Sequence, residues 1–147
     1  MTNSVSHRFA RIARLARFSA AVALVSALFG CATSTESSQS ISILEPTNNA
    51  TVATTFKVRF GAKGLAVAPA GDIVANSGHH HLLINLDAIP AGESVPFTEK
   101  HMHFGKGQTE AEVKLAPGTY RLTAQFANGA HQSYGKALSQ TITVTVK

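Results

Sequence analysis

From Ile41 to the C-terminus, apolar and polar residues take turns along the chain. Ile41 and Ile43 open the pattern ahead of Pro46. Phe56, Val58 and Phe60 alternate with Lys57 and Arg59, and Leu82, Ile84 and Leu86 alternate with Leu83 and Asn85. Ala111, Val113 and Leu115 alternate with Glu112 and Lys114, Tyr120 to Phe126 repeats the pattern, and Ile142, Val144 and Val146 are separated by threonines. A period of two is that of a strand with one buried face. No window carries helical spacing. The pattern predicts strands at 41–45, 55–60, 79–86, 110–115, 119–127 and 138–146, and an all-β chain. The stretch from Asp87 to Glu110 is long for a loop and predicts one further short strand. About seven short strands in one domain fit an antiparallel β-sandwich.

The segment "LAPGTYRL" sharpens this. A Pro-Gly turn followed by Tyr120 at the head of a strand resembles the tyrosine corner of immunoglobulin and fibronectin type III domains. The resemblance implies an immunoglobulin-like sandwich. In that topology the strand at 79–86 starts at one end of the domain. The "HMHFGKGQTE" segment climbs to the same end, and the strand at 119–127 finishes there, at "NGAHQSYGK". All six histidines beyond residue 30 are thus expected at one end of the sandwich.

Parity divides the triplet at 79–81. His80 shares its face with Leu82, Ile84 and Leu86, so it points inward, as a structural histidine bonded to a loop carbonyl. His79 and His81 point outward, with Cα atoms about 6.6 Å apart. His101 and His103 form a similar pair if their stretch is extended. Neutral imidazoles bind zinc or copper at about 2.0 Å, and Met102 offers a thioether suited to Cu(I). The candidate ligands are therefore His79, His81, His101, His103 and His131, with Met102 as an auxiliary. Glu110 is the candidate carboxylate that orients an imidazole from behind.

The N-terminal segment changes the picture of charge. Of 13 Lys and Arg in the chain, Arg8, Arg11, Arg14 and Arg17 precede the apolar run "FSAAVALVSALFG", which ends at the single cysteine, Cys31. Basic, then apolar, then small is the order of an export signal. "LFGC" resembles the lipobox of bacterial lipoproteins, which implies cleavage before Cys31 and its acylation; an ordinary cleaved signal is the alternative. Ala32, in place of Asp, favours the outer membrane by the same resemblance. Residues 1–30 read as signal, 31–40 as lipidated Cys31 and flexible tether, and 41–147 as the domain. The formal charge of +5 falls to +1 once the signal is removed, which leaves no basic stripe for nucleic acid.

Two further resemblances rest on these motifs. "GHHHLLI", "HFGKGQTE" and the upstream "APAG" are similar to a family of small exported bacterial domains, domain of unknown function 4399, over most of residues 43–146. "LAPGTYRL…NGAH" is similar to the end of copper-resistance periplasmic sandwiches, where a Pro-Gly-x-Tyr strand precedes an Asp-Gly-His ligand. Here Asn128-Gly129-Ala130-His131 stands in that place, so only His131 carries over. The "HMHFG" pair also invites comparison with the copper–zinc superoxide dismutases, but that family's disulfide cannot form here. No Ser/His/Asp or Cys/His constellation is evident. The expectation is a non-enzymatic domain, lipid-anchored on the periplasmic side of the envelope. Its histidine end would bind copper, or alternatively zinc. The competing expectation is a structural module that docks an envelope protein.

Overall fold

A computed structural model of the chain describes residues 38–147. The signal, Cys31 and most of the tether lie outside the described residues. Nine strands are present: β1 (Ser40–Glu45), β2 (Ala50–Val52), β3 (Thr55–Lys63), β4 (Ala66–Val67), β5 (Ser77–Ile84), β6 (His101–His103), β7 (Glu110–Lys114), β8 (Gly118–Ala127) and β9 (Ser139–Val146). Among the described residues the only helical element is a 3-10 turn, Lys136–Leu138.

The strands form two sheets. One has the order β1-β3-β7; the other runs β2-β9-β8-β5-β4, with β6 also paired to β5. This is an all-β sandwich, as the period-two pattern predicts and in line with the immunoglobulin-like resemblance; β2 and β4, three and two residues long, are the strands beyond the seven or so expected. The inward positions are those the alternation picks out. Ile41, Ile43, Phe56, Val58, Phe60 and Val113 from one sheet meet Leu82, Ile84, Leu122, Phe126, Ile142 and Val144 from the other. At roughly 25 cal/mol per Å² of apolar surface removed from water, this shared core is the main stabilising term. Tyr120 closes the corner after the Pro-Gly turn by donating its hydroxyl hydrogen to the Ala116 carbonyl at 3.0 Å.

Two other features were not read from the sequence. The short strand hidden between Asp87 and Glu110 is β6, and it joins the sheet of β5 rather than that of β7. Order also begins before Ile41, because Ser40 already pairs with Lys63 and the Gln39 side chain bonds Gly64 and Asn76.

The outer face of β5 and β8 is not open to water. Leu83 and Ala127 bury there with Val95, and Leu86 and Ile89 pack against them. The polar residues of that face are served by the covering segment. Gln125 accepts from the Ile89 amide at 3.0 Å, and Thr123 donates to the Leu86 carbonyl at 2.9 Å. Every residue of β5 is consequently buried. A strand buried on both faces has no reason to alternate, which is why "HHHLLI" does not.

Candidate metal centre

The site is built on β5. His79 and His81 project from its outer face, two residues apart on the same side. β6 runs antiparallel beside it with His103 opposite His81, Met102 opposite Leu82 and His101 opposite Leu83. On the other flank β8 pairs His79 with Ala127, and the chain then turns back at Asn128. The turn is made by the Asn128 side chain, whose Oδ1 accepts from the amides of Ala130 at 2.9 Å and Gln132 at 3.0 Å. His131 occupies the left-handed region, φ 61°, a conformation uncommon for a residue with a Cβ. Its carbonyl accepts from the Val95 amide at 2.9 Å, so the covering segment fixes this histidine's backbone from outside.

These placements bring four imidazoles together. His79, His81, His103 and His131 each offer a nitrogen, and the four nitrogens all lie within 4.8 Å of one another. Ring centroids are 4.9 Å apart for His79–His81, 5.0 Å for His81–His103 and 4.7 Å for His79–His131. The Nε2 atoms of His103 and His131 stand 2.9 Å apart. A tetrahedral ion held at about 2.0–2.1 Å needs ligand nitrogens about 3.3 Å from each other.

Burial and bonding set the deep pair apart from the other two members of the cluster. His79 and His81 are 0% exposed, and neither ring nitrogen of either has a hydrogen-bond partner. Leaving a buried polar group unpaired costs about 1–3 kcal/mol. One nitrogen of each of these two rings belongs to the group of four, so an ion held there would satisfy two of the four unpaired atoms. Burial, followed by the neighbouring His131 and His103, lowers the pKa of His79 to about 4. Burial and the surrounding histidines lower that of His81 to about 2. His103 is also shifted down, by burial and by His131. These rings are therefore neutral near pH 7, the form that ligates.

His103 and His131 form the half-buried side of the cluster. The Phe97 ring leans on both, at 5.4 Å and 5.0 Å between centroids. A Cβ on Gly105 would drive into the His103 ring, so glycine there leaves that imidazole room to face its partners.

The remaining candidates stand elsewhere. His101 shares the outer face but lies further along β6, where its Nδ1 bonds Thr98 Oγ1 at 2.7 Å. Met102 points to the opposite face, away from the four imidazoles, and packs against the main core. Glu110 is on the other sheet, paired with Lys57 at 3.1 Å and Arg59 at 3.9 Å, and orients no imidazole. His80 points inward as parity requires, but it makes no bond to a loop carbonyl. Its ring stacks on Phe60 at 4.8 Å and meets Phe126 edge-on at 5.0 Å, with both nitrogens unpartnered. The outward pair, although it points away from the shared core, is fully buried. The sequence did hold a sign of that: Leu83 shares their face, and an apolar residue there argues for a cover.

With this geometry in view, comparison with known proteins adds a family and no activity. Residues 58–147 match the profile of a family described as a domain of unknown function (DUF4399). The chain belongs to that family. The matched region contains β5, β6, the Asn128 turn and all four clustered histidines. No curated protein matches the chain. Among solved structures, the endo-beta-1,4-mannanase from Thermotoga petrophila is similar at 13% sequence identity and a TM-score of 0.43. That likeness covers 74% of this chain and 20% of the mannanase.

Proposed function

We propose that this member of the DUF4399 family is a lipid-anchored envelope domain that binds one copper ion through His79, His81, His103 and His131. The observation that carries the reading is the convergence of four imidazole nitrogens to within 4.8 Å of one another, two of them on fully buried rings. Four imidazole nitrogens suit copper and zinc among the common metals. Copper stands above zinc in the affinity order for divalent ions at a given nitrogen site. The cluster contains no carboxylate, which sets it apart from oxygen-rich sites for magnesium or calcium.

The chemistry available is binding and release. We read the role as storage or hand-over of the ion. The lipobox at Cys31 supports placement on the periplasmic side of the membrane, with the outer membrane favoured.

Metal titration of the purified mature protein tests this. Copper should bind as a single ion per chain and raise the melting temperature, with zinc binding the same residues less tightly. Replacing His103 or His131 by Ala should weaken binding by about a hundredfold or more, at or beyond the upper end of what losing a hydrogen-bond partner behind a ligand costs, because here a ligand itself is lost. These two are half-buried, so their loss leaves the fold intact. Absence of bound metal, or affinity unchanged by both substitutions, would refute the proposal.

A further inference from the structure

Large apolar side chains left in water are few among the described residues: Leu44, Ile73, Val74 and Phe97. Three of them crowd the histidine end, with Ile73 at 79%, Val74 at 62% and Phe97 at 70% exposure. A chain of contacts joins them. Phe97 leans on His131, which follows Gly129 in the same turn. The Gly129 carbonyl accepts from the Gly71 amide at 2.8 Å, and the Asp72 backbone lies so close to Gly129 that a Cβ there would collide with it. Ile73 and Val74 come next, and the Val74 carbonyl is held by the Ser77 hydroxyl at 2.8 Å. The 68–76 loop is thus tied down on both flanks by hydrogen bonds while its two aliphatic tips stand free.

The same loop receives the incoming chain. The Gln39 side-chain amide donates to Asn76 Oδ1 and to the Gly64 carbonyl, each at 3.2 Å. Gln39 stands eight residues after Cys31, a contour of about 28 Å at most. Two exposed lysines border this end. Lys63 closes β3 one residue before Gly64, and Lys106 sits in the turn that packs over Ala68 and Pro69. Asp72 is the one acid within the loop. Apolar tips with flanking lysines suit an interface between acyl chains and anionic headgroups.

From this we infer that Ile73, Val74 and Phe97 form a membrane-resting tip. The sandwich stands with its histidine end against the bilayer that holds the acylated Cys31. The inference rests on the lipid-anchor part of the proposed function and is independent of the metal. It places the half-buried side of the cluster, His103 and His131 beneath Phe97, at the lipid–water boundary. Ions then enter and leave at the membrane surface, and Phe97 links contact with lipid to access to the site.

The chain contains no tryptophan, so a single one reports its own depth. Full-length protein matured in a bacterial host would be stripped of metal and reconstituted into phosphatidylglycerol-containing vesicles, with and without brominated lipid. Three variants are compared: Phe97→Trp, Ile73→Trp and, at the opposite end of β1, Leu44→Trp. The inference expects brominated lipid to remove most of the emission at positions 97 and 73 and little at 44. Vesicle-bound protein with equal emission in both lipids at 97 and 73 overturns it, as does equal quenching at all three positions. Emission at 97 and 73 that shifts with protein density but not with bromine assigns the face to a second copy of this chain, and also overturns it. Protein that stays in the aqueous phase with no acyl mass on Cys31 refutes the anchor as well. Failure to bind copper in a parallel titration leaves all of these outcomes unchanged.

Discussion

Replacing His81 by leucine should stabilise the metal-free protein while destroying the site. His81 is fully buried with both nitrogens unpaired, and leucine has similar bulk, so the change removes about 1–3 kcal/mol of unmet polar cost. For a domain of this size each kcal/mol raises the melting temperature by about 3–5 °C. The pH dependence gives a sharper test. The folded pKa of His81 is lowered to about 2 from the ordinary 6.5. Below pH 6.5 the unfolded chain therefore takes up a proton that the folded chain refuses. Stability present above that pH is lost as pH falls through the window. Between pH 7 and pH 5 this histidine alone withdraws about 2 kcal/mol. The leucine variant escapes that loss, so its advantage over wild type should widen by about 2 kcal/mol across the same interval. Urea denaturation of the metal-free protein at pH 7, 6 and 5 measures it. Parallel midpoint-against-pH curves for the two proteins, or a variant less stable at pH 7, would refute the reasoning.

Three further outcomes follow from the same geometry. Met102→Leu should leave copper affinity unchanged and cost under about 1.5 kcal/mol of stability, as a volume-conserving change at the core; calorimetry with copper and thermal melts check both. Gly105→Ala should weaken copper binding severalfold, because its methyl displaces the His103 ring, while Glu110→Gln should not, since Glu110 only pairs with Lys57 and Arg59; competition with a chelator separates the two. Tyr120→Phe should cost about 1 kcal/mol, the net worth of its hydrogen bond to Ala116, with no change in metal affinity.

The alternation of apolar and polar residues made the strands and the core readable, because one face of most strands meets the opposite sheet and the other meets water. It failed where that condition fails. β5 is covered on both sides, so the outward parity of His79 and His81 was legible but their burial was not; the covering segment, 87–100, has no period of its own. β6 is three residues long, too short for a pattern to show which neighbour it pairs with. That pairing decides the fate of three candidates at once. It sets His103 beside His81, turns Met102 into the core and leaves His101 further along the edge. His131 could be placed at the right end by topology. Its approach to the others depends on a left-handed residue and on the Asn128 side chain, which single-sequence spacing does not reveal. His80 remains a buried imidazole stacked on phenylalanine, and its unpartnered nitrogens have no account in the metal reading.

The most direct test of the four-histidine centre is X-ray absorption at the copper edge of the loaded, mature protein. The account predicts about four nitrogen neighbours near 2.0 Å, with the outer-shell scattering of imidazole rings and no sulfur. A shell containing the Met102 sulfur, a shell dominated by carboxylate oxygen, or a protein that retains no copper would contradict it.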